Sequence, residues 1–224
     1  MRLVTTPRVE LLRDLRNEIT HNYGVGRTIV AVDGISGSGT AAFADELAEV
    51  FREDDRIAFR ASIDDFHRPR EERYSRGKDS AEGYYSDSFD YSLFRRALIE
   101  PYRMAGSTGF QLVGFDEKRN TGEELRWVTG PRDAVLLVDG VFLHRPELRG
   151  LWHYSIWLDV SFAEAYARLH ATLGVDADPT AASNARYVGG QQLYQRDAGP
   201  RTHASAVINN EDPSHPFRVF LDSC

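Results

Sequence analysis

A single cysteine, Cys224, is all the sulfhydryl this chain has, so an intrachain disulfide and a cysteine metal cluster are both excluded, and a reducing cytoplasm is the expected setting. No apolar run approaches the roughly 20 residues needed to span a bilayer. The first residues also lack the hydrophobic segment of a signal peptide, so neither secretion nor a membrane partner is expected. An excess of basic charge is missing too. With 27 Lys and Arg against 34 Asp and Glu, the formal charge of −7 would repel a nucleic-acid backbone. The one basic stretch, His67 to Arg73 continued by Arg76 and Lys78, is interleaved with Glu71 and Glu72 and has the pattern of a solvated loop. What remains is ordinary globular composition, 42% hydrophobic in 224 residues, enough for one domain over 1–224 with a sizeable core.

Hydrophobic spacing orders the elements. Val9, Leu12, Leu15 and Ile19 recur at helical intervals and predict a packing helix within residues 1–26. A strand is predicted over 28–32, a helix over 42–51 and a second strand over 56–62. Residues 68–90 show no periodicity and predict a long loop over the sheet. Helical spacing resumes over 91–100 behind Asp90, a candidate N-cap, and is expected to stop at Pro101. Two strands of a hairpin-like insertion are predicted over 110–115 and 124–129. The continuous apolar run 134–138 has the pattern of a strand buried on both faces, and 154–159 predicts another, followed by a helix over 162–173. Strands alternating with helices indicate an α/β protein with a parallel sheet covered by helices on both faces.

Between the first strand and its helix stands Gly34-Ile35-Ser36-Gly37-Ser38-Gly39-Thr40-Ala41, the glycine frame of a phosphate-binding P-loop. Much of the binding in such a loop comes from backbone N–H groups and a helix N-terminus, which need only glycines at the turn. Gly34, Gly37 and Gly39 keep that part, with Ser36 and Ser38 between them. Thr40 stands where the motif has lysine, and Ala41 where it has the magnesium-binding hydroxyl. Losing a charge-assisted contact of roughly 1.5–3 kcal/mol would slow phosphoryl transfer about ten- to a hundredfold, before the metal ligand is counted. The Thr40 hydroxyl, one position early, is a candidate metal contact. A rival frame, Gly37 to Ala42, fits the Gly-x-Gly-x-x-Ala turn of a dinucleotide-dependent oxidoreductase, but that turn should follow its strand directly, and Asp33 to Ser36 intervene.

Acids stand at the ends of two strands. Asp64 and Asp65 follow the second, where a carboxylate could take a proton from a hydroxyl attacking phosphorus, or simply cap a turn. Asp139 follows the apolar run 134–138, the strand-then-acid pattern that positions magnesium through water in P-loop enzymes.

With these residues in place, the chain resembles the uridine kinase and phosphoribulokinase group of P-loop kinases, over roughly 27–212. The resemblance rests on Val32 to Gly39, Ile63-Asp64-Asp65-Phe66-His67, Gly83 to Tyr91, Phe115-Asp116, Val138-Asp139-Gly140 and Arg186 to Tyr194. It implies the three-layer P-loop NTPase fold with a small substrate-side insertion region over 64–130 and a lid over 162–196. It also implies ATP and Mg2+, a small-molecule acceptor that is nucleoside-like, and no nucleic-acid partner; a homo-oligomer is open. By position, Asp64 would be the general base, Asp87 a contact to sugar-like hydroxyls and Asp139 the magnesium acid. Arg168 and Arg186 would belong to the lid over the phosphates. Asp65, His67, Tyr84 and Phe115 would line the acceptor site, Tyr84 either flanking a planar base or packing the loop. Beyond Thr40 and Ala41, two features depart from the group: Leu169 to Leu173 make the lid helix poor in cations, and Glu117 stands where histidine is common. The expected activity is transfer of the γ-phosphate of ATP to a hydroxyl. The alternative is a relative that binds a nucleotide or phosphometabolite without turning it over.

Overall fold

A computed structural model describes residues 2–122 and 126–220. Strand β1 (Thr28–Gly34) is buried at every position because helices cover both of its faces. Its alternate residues feed two cores. Val30 and Val32 pack with Leu12, Leu15 and Ile19 of α1 (Pro7–Tyr23) and with Phe43, Leu47 and Phe51 of α2 (Thr40–Arg52). Ile29 and Ala31 face the other way, towards Phe66, Phe94, Leu98 and Tyr102. The helix α1 begins where Thr6 caps it, its hydroxyl accepting from the Val9 N–H at 3.2 Å, with Pro7 in the first turn.

The central sheet has six strands in the order β2-β5-β1-β6-β7-β8. Strands β2 (Ala58–Ser62), β5 (Val135–Gly140), β1, β6 (Tyr154–Asp159) and β7 (Ala206–Asn209) run parallel; β8 (Phe217–Val219) closes the edge antiparallel to β7. The sheet is therefore mixed, where an all-parallel one was expected, and the α/β three-layer arrangement holds. Asp139 pairs in register with Val32 on one side and Ser62 on the other, which brings the ends of β1, β2 and β5 to one rim. No helix among the described residues is long and apolar enough to cross a membrane.

Three local expectations are corrected. Residues 68–90 hold two short helices, α3 (Arg70–Arg73) and α4 (Ala81–Asp87), rather than a loop. They escape periodicity because each is under two turns or about that length, and α4 is fixed by its Ser80 cap, at 2.9 Å from the Gly83 N–H, and by packing on α8 (Ala185–Ala198). The helix α5 (Tyr91–Phe94) does not stop at Pro101. It passes through a π turn (Arg95–Ile99), in which the Glu100 N–H reaches back to the Arg95 carbonyl, into α6 (Glu100–Met104). The widened turn lets Pro101, which has no N–H, enter as a first-turn residue. The insertion pairs β3 (Phe115–Asp116) with β4 (Thr121–Gly122), and Phe110 bridges to Val128. Of the strand expected over 124–129, residues 124 and 125 lie outside the described residues. The remaining helices are α7 (Phe162–Leu173), as expected, and α9 (Pro200–His203).

Candidate functional site

Strand β1 ends at Gly34 and α2 begins at Thr40, so the connection is the longer P-loop frame, and Gly37 sits mid-loop rather than at the strand end that the dinucleotide turn requires. Gly37 and Gly39 have φ of 84° and 92°, a region that side chains other than glycine rarely enter. Gly39 is the N-cap of α2 and supplies no side-chain acceptor, so the first N–H groups of the helix are left for an anion.

The loop is held from three sides. Asn210, buried after β7, donates its Nδ2 to the Ser38 carbonyl at 2.8 Å. Gln191 of α8 donates Nε2 to the Ser36 hydroxyl at 2.7 Å. Beneath the loop, the fully buried Asp33 accepts from the Gly34 N–H at 2.8 Å, from the His144 N–H at 3.1 Å, from His144 Nδ1 at 2.6 Å and from the Tyr194 hydroxyl. His144 and Asn210 were not singled out from sequence, and Asp33, Gln191 and Tyr194 only as parts of motif strings; each is an ordinary residue until folding sets it against the loop. On top, α7 lies so close that a Cβ at Gly37 would meet the Ala165 carbonyl oxygen at 2.4 Å. Gly37→Ala therefore combines backbone strain with a clash against main chain. It should lower the unfolding free energy by about 1–3 kcal/mol and weaken anion binding at the loop, read by urea unfolding and phosphate-dependent thermal shift.

Asp139, at the end of β5, is paired with Arg60 of β2, whose Nη2 lies 2.7 Å from Oδ1. Burial raises the Asp139 pKa against the lowering influence of Arg60. Magnesium, implied by the resemblance, finds a poor donor set here. Ala41 offers no side-chain oxygen, and one Asp139 oxygen is bonded to Arg60. Thr40 sits one position earlier on α2, rotated by about 100° from Ala41 around the helix axis. The residues present do not fit the divalent ion of the motif.

Asp64 is the second residue of the turn Ile63–Phe66 after β2, its N–H donating to the Ser62 hydroxyl at 3.3 Å. Its side chain remains open to solvent but lies within a concave rim. The surrounding protein, first, and then the charges of Asp139 and Glu117 push its pKa up to about 6. Asp65 beside it is half-buried, its pKa raised chiefly by burial, and its carbonyl accepts from Gly114, which draws the insertion and the buried Phe115 to the same rim. His67 donates Nδ1–H to the Asp64 carbonyl at 2.6 Å and stacks on Phe89, with ring centres 4.7 Å apart. Burial lowers its pKa, so the ring is neutral near pH 7 and Nε2 is an acceptor. Glu117, at the position where histidine is common in the group, is bonded to the buried Arg73 at 2.6 Å. Burial opposes ionisation of Glu117, but the Arg73 pairing outweighs it and its pKa is lowered.

The two arginines expected over the phosphates have their donors on protein acceptors. Arg168 donates to the carbonyls of Asn210 at 2.9 Å and Glu211 at 2.8 Å, pairs with Glu164 at 3.0 Å, and reaches the Ser38 carbonyl of the loop at 3.5 Å. Arg186 is buried over the rings of Tyr74 and Tyr84 and donates to the carbonyls of Lys78 and Ser80 at 3.1 and 2.9 Å, so it ties α8 to the segment before α4. Asp87 is paired with Arg76 at 2.8 Å. Tyr84 is buried against Phe142 and Tyr187, the packing alternative for that side chain. Next to Ser36, an open cavity of about 590 Å³ lies between α7 and α8, walled by Tyr166, Leu169, Leu173, Val175 and Tyr187. The wall of this cavity is thus mainly aliphatic and aromatic, with Asp176, Ser183 and Asn184 as further polar side chains, while Arg168 stands against the loop itself.

No protein-family model matches the chain, and no curated protein sequence does. Solved structures do. A possible uridine kinase from Bacillus stearothermophilus superposes with a TM-score of 0.69 at 22% identity, over 89% of this chain and 96% of its own. A candidate fructose transport system kinase from a Silicibacter species gives 0.62 at 25% identity, over 84% and 93%. Phosphoribulokinase from Rhodobacter spheroides gives 0.52 at 17% identity, over 82% and 70%. The chain has the fold of the P-loop kinases. Within that fold, the P-loop, Asp64 and Asp139 occupy the rim outside the carboxyl ends of the strands, where open α/β sheets bind their ligands.

Proposed function

We propose that this chain binds ATP at the P-loop and transfers the γ-phosphate to a hydroxyl of a small, nucleoside-like metabolite held against Asp64, His67 and Phe115. The observation that carries the reading is Asp64: a carboxylate at the rim that holds the phosphate loop, with a pKa of about 6 and no cation paired with it among the described residues. Such a group is ionised at neutral pH and basic enough to accept the proton of an attacking hydroxyl. The hydroxyl oxygen forms the new bond to phosphorus, the bond from phosphorus to the bridging oxygen breaks, and ADP leaves. The backbone N–H groups of 36–41 and the α2 terminus hold the charge of the departing group.

A second reading is favoured by a specific observation: Arg168 and Arg186 spend their donors on carbonyls, and no lysine stands at position 40. On that reading the protein holds a nucleotide or phosphometabolite without turnover. ADP release across a panel of nucleosides and sugars separates the two. The kinase reading expects at least one acceptor to raise ADP release about tenfold over the acceptor-free rate. A flat panel, with ATP still shifting the melting temperature, would leave binding alone.

A further inference from the structure

Arg60 lies in the middle of β2, opposite Leu137 of β5, and its side chain crosses to the α2 side of the sheet. Every nitrogen of its guanidinium is anchored. Nε bonds Asp45 Oδ1 of α2 at 2.8 Å, Nη1 donates to the Leu137 carbonyl at 3.0 Å, and Nη2 bonds Asp139 Oδ1 at 2.7 Å with the Ala41 carbonyl at 3.4 Å. In the motif, a hydroxyl at the second position of the helix and the acid at the end of the neighbouring strand are joined through a divalent ion. Here the same helix turn and the same acid are joined by a guanidinium, and Ala41 has removed the hydroxyl that a metal would need.

We propose that Arg60 takes the metal's place against Asp139, neutralising the acid that would otherwise repel a metal-free ligand, and that this P-loop binds a nucleoside polyphosphate without a divalent metal. The inference rests on the reading that the loop takes a polyphosphate, and deepens it by assigning the form of ligand that is bound. Arginine stays protonated at any pH the protein survives, so its charge is permanent. A divalent ion approaching Asp139 would meet a fixed positive charge at hydrogen-bond distance from the carboxylate meant to receive it. The side chain is 19% exposed and its Asp139 partner 6%, so solvent screens the pair little and the arrangement is not a loose surface contact. The loss of the metal-binding hydroxyl at 41 is then matched by a guanidinium from 60, shared between Asp139 and Asp45.

The test is calorimetric titration of ATP and of tripolyphosphate into the wild-type chain and Arg60→Gln, each in excess Mg2+ and in EDTA. The wild type should bind ATP in EDTA within about threefold of its affinity in Mg2+, and Arg60→Gln should lose about tenfold in EDTA while Mg2+ restores part of that loss. A wild type that binds ATP more than about tenfold tighter with Mg2+ overturns the inference and leaves the P-loop reading standing. Equal, metal-independent binding by wild type and Arg60→Gln overturns the assignment to Arg60. No binding of either ligand in either buffer overturns both the inference and the reading beneath it. Should Arg60→Gln not fold, Arg60→Lys replaces it: a retained charge is expected to keep metal-independent binding, and a Mg2+ requirement in Arg60→Lys or wild type counts against the proposal.

Discussion

Asp64→Asn is expected to lower ADP release with the best acceptor by roughly 10²–10⁴-fold, with ATP affinity changed by no more than about threefold. On the proposed reading the residue meets the acceptor hydroxyl and not the phosphate loop, so kcat should fall while nucleotide binding persists. The pH profile carries the same signature. With a pKa of about 6, the wild-type carboxylate is half ionised near that pH, so the rate should rise through pH 5–7 and level above it. The variant should lose this limb altogether.

Stability should move in the opposite direction. Folding raises the Asp64 pKa above its ordinary 3.8, so the folded chain holds this proton more tightly than the unfolded one. Its stabilising contribution is greatest below pH 3.8 and is lost as pH rises through about 6. Asp64→Asn should therefore melt at a higher temperature than wild type at pH 8, with the difference closing by pH 4. An unchanged rate in Asp64→Asn, or a wild-type profile flat from pH 5 to 8, would remove Asp64 from the mechanism.

Asp33→Ala should cost about 3–5 kcal/mol of unfolding free energy, the largest single loss expected from the residues around the loop. The carboxylate accepts from the Gly34 N–H, from two nitrogens of His144 and from the Tyr194 hydroxyl, all in a fully buried setting. Removing it leaves polar groups desolvated and without their shared partner. Burial, first, and then Asp33 hold the Tyr194 hydroxyl well above its usual pKa, so it stays a neutral donor to this acid. Urea unfolding should show a lower midpoint with an unchanged slope. Asp33→Asn, which keeps one oxygen acceptor, should fall between the two. A loss under about 1 kcal/mol in Asp33→Ala would mean that water or a rearranged His144 satisfies these donors, and that the network does not hold the base of the P-loop.

The glycine frame at 34–41, the buried strands β1, β5 and β6 and the helices α1, α2 and α7 were legible from residue order, because each depends on neighbours within a few residues. An apolar run or a helical stripe records which faces will be covered, whatever covers them. A glycine at a turn records a backbone angle. The same locality explains the failures. The helices α3 and α4 are too short to show a period, and Pro101 stops a helix only where no π turn precedes it.

Charge partners follow a different rule. Arg60 and Asp139 are 79 residues apart and meet because β2 pairs with β5 in one particular register. Asp33 and Tyr194 are 161 apart. Arg186, which the resemblance would set over the phosphates, is held over Tyr84 by the carbonyls of the segment before α4. A guanidinium on a long stem can reach several acceptors, and only the packed chain decides which one it finds. By itself, then, the sequence determined the sheet strands at the core, the phosphate loop and its missing lysine and hydroxyl. Tertiary structure alone decided that an arginine from the neighbouring strand stands at the acid where a metal was expected, because that pairing is a property of strand register and not of any local run of residues.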